Sequence, residues 1–225
     1  MVSSSVILII SIYCFLGLVT SDENNANLTK VSIYYETLCS DSIIFIRNDF
    51  YPNYERLKHR ILVDFVPYGK SRQSRASNGS WTFTCHHGSW ECRGNKYQAC
   101  ALDQTEKQDQ TVEFVKCVMW QTNPTDADDV KECALSNGLD WNKISSCQQG
   151  NRGDELLANY GNRTLNLNPK LVSVPTILFD DVYDENLQKL CQRDFLRAAC
   201  SKISEPKPDA CKIYPPSLLQ NAQKS

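Results

Sequence analysis

One stretch near the N-terminus decides the fold: Val31-Ser32-Ile33-Tyr34-Tyr35-Glu36-Thr37-Leu38-Cys39-Ser40-Asp41-Ser42-Ile43-Ile44-Phe45-Ile46. Its first residues alternate apolar with polar or half-polar side chains, which is typical of a strand. Residues 40–42 are helix-capping types and an apolar run follows them, which indicates a helix. We therefore expect Cys39 at the N-terminus of that helix, where unpaired N–H groups and the helix dipole stabilise a thiolate. A dithiol redox motif has a second cysteine three residues later, where this chain has Ser42.

Residues 1–21 are predicted to be a signal peptide, because an uncharged apolar run ends in the small residues Val19-Thr20-Ser21. The run is shorter than an ordinary membrane span of about 20 apolar residues, and no later segment is apolar enough to cross a bilayer. Because the run lacks a basic residue at its start, an uncleaved anchor is the alternative. The net charge is −2 without a basic stripe, so we do not expect nucleic acid as a partner.

The cysteine content indicates an oxidising compartment. Of eleven cysteines, Cys14 lies in the predicted signal, and ten cysteines in a secreted chain indicate that disulfides are present. Three sequons, at Asn27, Asn78 and Asn162, are predicted glycosylation sites and agree with passage through the secretory pathway.

One cysteine is expected to remain unpaired besides Cys39. Setting Cys39 aside leaves an odd number of cysteines, and we assign the leftover to Cys211. Cys211 lies in residues 204–225, which contain four prolines and are predicted to be a tail outside the core. The pairing of the others cannot be deduced from the sequence.

The order of predicted elements defines the fold class. After the first helix they are a strand at 61–66, a loop at 70–80, helices across 95–165, a strand within 171–179, a short strand at 182–183 and a helix at 185–199. The first two strands and their helix form a βαβ unit with parallel strands. We expect one α/β domain over 22–203, a thioredoxin-like fold with a disulfide-rich helical insertion at about 80–168.

A second stretch resembles a known family signature. The residues Cys85-x-His87-Gly88-x-x-Glu91-Cys92-x-x-Asn95-x-x-x-x-Cys100 match the pattern C-Q-H-G-x2-E-C-x2-N-x4-C of the gamma-interferon-inducible lysosomal thiol reductase (GILT) family, except that His86 replaces the usual glutamine. Further similarities are Tyr34-Tyr35-Glu36-x-Leu38-Cys39, Val66-Pro67-Tyr68-Gly69 and Val174-Pro175. The chain is identified as an invertebrate-like member with a C-x-x-S site. The resemblance implies a secreted or lysosomal glycoprotein that reduces disulfides in protein substrates and holds no bound cofactor.

The C-x-x-S site leaves the activity open. In a C-x-x-C reductase the first thiolate attacks a substrate disulfide and the second cysteine resolves the mixed disulfide. Cys39 keeps the attacking position, whereas Ser42 cannot resolve, and Asp41 opposes the thiolate by like charge. We expect a weakened thiol exchanger that needs an external thiol donor. The alternatives are a redox-silent secreted protein that binds a protein ligand, and a scaffold in which Cys39 is bridged.

Pro175 is the second catalytic candidate. The resemblance implies that the Val174–Pro175 bond is cis and lies opposite Cys39, where the residue before proline offers backbone hydrogen bonds to substrate. Without the resemblance a trans bond is favoured, since only about 5–6% of X-Pro bonds are cis.

Zinc is the other chemistry that the signature stretch suggests. Cys85, His86, His87 and Cys92 are the residue types that bind it, but their spacing is not C-x2-C and an oxidising compartment favours disulfides. We therefore expect no metal.

Overall fold

Strands and helices are interleaved along residues 28–224, the part of the 225-residue chain that this computed structural model describes. They are β1 (Thr29–Tyr35), α1 (Ser40–Ile44), a π-helical segment (Phe45–Phe50), α2 (Tyr51–Leu57), β2 (Ile61–Pro67), β3 (Arg72–Arg75), β4 (Trp81–Thr84), α3 (Ser89–Leu102), α4 (Gln108–Trp120), α5 (Ala127–Ser136), α6 (Trp141–Gln149), α7 (Asn151–Leu165), β5 (Thr176–Phe179), α8 (Glu185–Cys191), α9 (Phe195–Lys202), a 3-10 turn (Asp209–Ile213) and α10 (Pro216–Lys224). The predicted signal peptide and Asn27 lie outside these residues. Within them, no helix is long and apolar enough to cross a membrane.

β1 is the central strand of a three-stranded sheet with the order β2–β1–β5. β2 pairs with it in parallel, as the predicted βαβ unit requires, and β5 pairs with it antiparallel. Because the start of β5 faces the end of β1, with Thr176 opposite Tyr34, Pro175 lies at the sheet edge from which the chain continues to Cys39. The sheet thus places the two predicted catalytic residues at the same edge.

An aromatic core fixes the helix that starts after Cys39. Phe50 contacts Phe65 of β2 and Phe195 of α9 with ring centroids 5.7 and 5.5 Å apart, and Phe45 contacts Phe195 at 5.8 Å. All three pairs are edge-to-face, a favoured aromatic geometry. The continuous helical segment α1 to α2 is therefore anchored along its length, with Pro52 in the first turn of α2.

Three predicted elements differ in the structure. The predicted loop at 70–80 contains β3, which pairs with β4 as a hairpin and whose sequence, Arg-Gln-Ser-Arg, has no apolar alternation to reveal it. The predicted strand at 182–183 is a single bridge between Val182 and Phe179. The predicted helix at 185–199 is divided into α8 and α9, because the Asp194 side chain accepts a hydrogen bond from Arg197 N–H and starts a new helix.

Four disulfides connect the helices, and they correct the assignment of the unpaired cysteine. The pairs are Cys85–Cys92, Cys100–Cys147, Cys117–Cys133 and Cys200–Cys211. In the described part of the chain the free cysteines are Cys39 and Cys191, both buried. The expectation that Cys211 is unpaired is therefore wrong.

The C-terminal segment is also not a tail outside the core. Cys211 is 1% exposed and Leu219 is 6% exposed, and both belong to the main hydrophobic cluster. Lys207 Nζ donates hydrogen bonds to the carbonyls of Cys200 and Ile203, at 2.8 and 2.6 Å. The proline-containing segment therefore packs back against α9 and is not an extended linker.

Alkylation tests this cysteine assignment. Burial, with the nearby Asp49 carboxylate, raises the pKa of the Cys191 thiol, so the thiol is both protonated and inaccessible at neutral pH. In the chain from residue 22 onward, iodoacetamide should label Cys39 alone under native conditions, because Cys39 is 8% exposed whereas Cys191 is 0% exposed. In denaturant without reductant it should label Cys39 and Cys191, as read by peptide mass mapping. Labelling of Cys211 in the unreduced, denatured protein would contradict the assignment.

Candidate active site

Cys39 lies at the turn from β1 into α1. It is the N-cap residue of α1, and its carbonyl accepts the Ile43 N–H at 3.0 Å. Its residue surface is 8% exposed, and its Sγ faces the Val174 carbonyl at 3.9 Å. The Val174–Pro175 bond is cis. The structure thus brings Cys39 and Pro175 together, while their catalytic roles stay predictions.

Ser42 faces the interior one turn further along the same helix. It is fully buried, and its Oγ accepts a hydrogen bond from the Glu36 N–H at 3.4 Å. The hydroxyl therefore satisfies a buried backbone donor in the segment between β1 and Cys39. Sequence reasoning treated Ser42 only as a lost thiol and did not foresee this contact.

Helix α3 holds the segment between β1 and Cys39 through Thr37. The backbone N–H and the hydroxyl of Thr37 donate to Asn95 Oδ1, at 3.0 and 2.7 Å, and Gln98 Nε2 donates to Thr37 Oγ1 at 3.0 Å. All three residues are fully buried. Gly94 permits this approach, because a Cβ there would lie 2.7 Å from Thr37 Cγ2. Asn95 of the family signature thus positions the segment that carries Cys39, whereas no sequence pattern indicated a role for Gln98 or Gly94.

Glu36 is a fully buried carboxylate three residues before Cys39. Its Oε1 accepts the Lys70 N–H at 2.6 Å, and its Oε2 lies 3.3 Å from His86 Nδ1 and 3.4 Å from His87 Nδ1. Gly69 has φ +59, and a Cβ there would lie 2.2 Å from Glu36 Cγ. Three of the four stretches that resemble the family therefore meet at one carboxylate.

Glu91 is a second fully buried carboxylate, and His87 Nδ1 lies close to both Glu91 and Glu36. Its Oε1 accepts the His87 N–H at 3.1 Å, and its Oε2 lies 2.5 Å from His87 Nδ1. Gly88, with φ +86, is the N-cap residue of α3 just after the two histidines. The Cys85–Cys92 disulfide closes the loop that carries them. Both cysteines are therefore bridged and cannot serve as the zinc ligands that the sequence suggested.

The remaining predicted positions lie on the scaffold. Cys100, the last signature residue, joins α3 to α6 through Cys147. Asn78 is exposed at the tip of the β3–β4 hairpin, and Asn162 is exposed on α7. Their glycosylation stays a prediction.

A small cavity lies beside the candidate site. It has a volume of about 290 Å³, and its lining comprises Asp41, Ile44, Phe45, Asp49, Pro175 and Gln192. The Ile44 residue is 51% exposed. Burial raises the pKa of the Asp49 carboxyl. The cavity therefore joins the start of α1 to Pro175 with a surface that is partly apolar and partly acidic.

The fold and the site together define a class. A free cysteine at the start of the first helix, opposite a cis-proline that precedes an antiparallel strand, is the arrangement of the thioredoxin-like fold. The solved structure of Chlamydia trachomatis DsbA superposes with a TM-score of 0.51 at 11% identity, over 69% of this chain and 78% of that one. The predicted fold class is therefore confirmed.

The family follows from the sequence comparisons. Residues 30–137 match the family model described as Gamma interferon inducible lysosomal thiol reductase (GILT). A gamma-interferon-inducible lysosomal thiol reductase-like protein of Anopheles gambiae is 39% identical, over 82% of this chain and 80% of the relative. GILT-like protein 1 of Drosophila melanogaster is 34% identical, over 84% and 81%. The chain belongs to the GILT family of thiol oxidoreductases, and both of these relatives are insect proteins.

Two glycine substitutions test the packing around Glu36. Gly69→Ala should lower the free energy of unfolding by about 2–4 kcal/mol, because a positive φ and an overlap with Glu36 add together. Gly79→Ala is the matched control, since Gly79 has φ +87 but only Arg75 Nη2 nearby, at 3.9 Å. It should cost about 1–2 kcal/mol. Denaturant titration measures both, and equal losses would contradict the close approach of Gly69 to Glu36.

Proposed function

We propose that Cys39 is the nucleophile of a thiol oxidoreductase that acts on disulfides in protein substrates, and that Ser42 makes turnover depend on an external thiol. The observation that carries the proposal is the free Cys39 thiol at the start of α1, facing the carbonyl that precedes cis-Pro175. Family membership and the thioredoxin-like fold support the same reaction class.

The first half-reaction needs only Cys39. Its thiolate attacks one sulfur of a substrate disulfide, an S–S bond forms to that sulfur, and the other substrate sulfur leaves as a thiolate. The enzyme and the substrate half are then joined by a mixed disulfide.

The second half-reaction needs a thiol that this site does not provide. The Ser42 hydroxyl is not a nucleophile at physiological pH and is held by the Glu36 N–H. Cys191 is completely buried, and burial raises the pKa of its thiol. An external thiol such as glutathione must therefore attack the Cys39 sulfur, which releases the substrate half as a thiolate and leaves Cys39 joined to the donor. A second donor thiolate then attacks the donor sulfur, which returns Cys39 as a thiolate and leaves the two donor molecules joined by a disulfide. No bound cofactor takes part.

The cavity beside Pro175 supports a protein substrate. An extended segment next to a substrate disulfide can lie along it, with an apolar contact on Ile44 and a backbone contact at Val174. Family membership supports action in a secreted or lysosomal compartment, where protein disulfides are present.

A second candidate function is a redox-silent binding protein on the same scaffold. The observation that favours it is the state of the two motif residues: Cys39 is only 8% exposed, and Ser42 has a structural hydrogen bond. Such a protein would use the cavity beside Pro175 to hold a protein ligand without exchanging disulfides.

Insulin reduction with glutathione as donor, at acidic and at neutral pH, tests the enzyme. The wild type should exceed the Cys39→Ser baseline, because only the thiol can attack. Ser42→Cys should raise the rate by on the order of tenfold, because it restores an internal resolving thiol. Cys191→Ala is the matched control and should leave the rate unchanged, since Cys191 is remote from solvent.

Two outcomes would contradict the proposal. A wild-type rate equal to that of Cys39→Ser at both pH values would favour the binding protein, for which partner binding should survive the same substitution. A rate lost in Cys191→Ala but kept in Cys39→Ser would place the reactive thiol elsewhere.

A further inference from the structure

We propose that Glu36, His86 and His87 form a site for a divalent cation of the zinc type, with Glu91 beside it. One ring nitrogen of each histidine and one carboxylate oxygen of Glu36 lie within 4.8 Å of one another. Two imidazoles and a carboxylate are a ligand set that binds Zn²⁺ and leaves a fourth position open.

Two of the three distances between the proposed ligand atoms fit tetrahedral coordination of Zn²⁺. Ligand atoms about 2.1 Å from a tetrahedral zinc ion are about 3.4 Å from one another. Glu36 Oε2 lies 3.3 Å from His86 Nδ1 and 3.4 Å from His87 Nδ1. The two imidazole rings have centroids 4.3 Å apart, with planes inclined at 64°. A small rotation of the rings can therefore bring the two histidine nitrogens to the separation that tetrahedral coordination requires.

The charge at this point favours a cation. Glu36 and Glu91 are both fully buried and are bridged by the same His87 ring. Within residues 28–224, neither carboxylate forms an ion pair with a lysine or an arginine. Burying carboxylates without a compensating charge is costly. A divalent ion at this position would supply that charge.

The loop that carries the histidines is already ordered. The Cys85–Cys92 disulfide closes it, and His87 N–H donates to Glu91 Oε1 at 3.1 Å. Glu91 Oε2 lies 2.5 Å from His87 Nδ1, so the Glu91 carboxylate lies directly beside the proposed ligands. Ordering the ligands before binding reduces the entropy that the ion must overcome.

The histidines also offer the ion a path from solvent. Their side chains are 45% and 35% exposed for His86 and His87, whereas the Glu36 carboxylate beneath them is completely buried. The ligand set differs from the one considered from the sequence, because the carboxylate comes from the end of β1 and both cysteines are excluded. His86 stands where the family pattern has glutamine, so the second imidazole is a feature of this chain.

Zinc titration of the purified, chelator-stripped full-length protein at neutral pH tests the site. Isothermal titration calorimetry should show one Zn²⁺ per chain, and Co²⁺ should give the visible absorption of a tetrahedral complex. His86→Gln should weaken Zn²⁺ binding by tenfold or more, because it removes a ligand whose side chain is partly exposed. His59→Gln is the matched control at the third histidine of the chain, which is exposed on the loop before β2, and it should bind as the wild type does.

The Cys39→Ser variant tests whether Zn²⁺ binding is independent of the Cys39 thiol. It should keep the wild-type Zn²⁺ affinity, because the ligands are Glu36, His86 and His87. No saturable Zn²⁺ binding, equal loss in His86→Gln and His59→Gln, or loss in Cys39→Ser would each overturn the proposal. Because the readout is metal binding alone, these outcomes do not depend on whether Cys39 reduces disulfides.

Discussion

The structure depends on one constraint. Residues 36–39, which join the central strand β1 to helix α1, must have partners for their buried polar groups. Helix α3 meets that constraint by placing Asn95 and Gln98 on Thr37, and Ser42 completes it by accepting the Glu36 N–H. Each of these groups would cost about 1–3 kcal/mol if it were left buried without a partner. The position of Cys39 therefore follows from the helical insertion as much as from the sheet.

The family signature is explained by this role. Its cysteines form bridges, Asn95 holds Thr37, and the His87–Glu91 pair packs against Glu36, so the signature supports the segment that carries the candidate nucleophile Cys39. The signature residues make these contacts without using the side chain at position 42. This is a physical reason why a chain can keep the signature while its exchange chemistry changes.

The sequence predicted the parts of the fold that local patterns encode. Alternation revealed β1, an apolar run ended by Pro67 and Gly69 revealed β2, and helix-capping residues placed Cys39 correctly at a helix start. It missed what depends on tertiary packing: the Gln98 contact with Thr37, the buried carboxylate of Glu36, and the return of the C-terminal segment that pairs Cys211. Proline content suggested a loose tail, but a disulfide and a few buried apolar side chains outweigh local composition. Disulfide pairing is likewise set in three dimensions and not by spacing.

The central claim is that Cys39 can attack a substrate disulfide but that the resulting mixed disulfide is resolved only by an external thiol. Intact mass spectrometry under non-reducing conditions tests it directly, after incubation with a disulfide-containing protein and no thiol donor. The wild type should accumulate a covalent adduct on Cys39 that disappears when glutathione is added, whereas Ser42→Cys should show no lasting adduct and should lose two hydrogens to an internal disulfide. A wild-type protein that forms no adduct on Cys39, or that clears its adduct without a donor, would contradict the account.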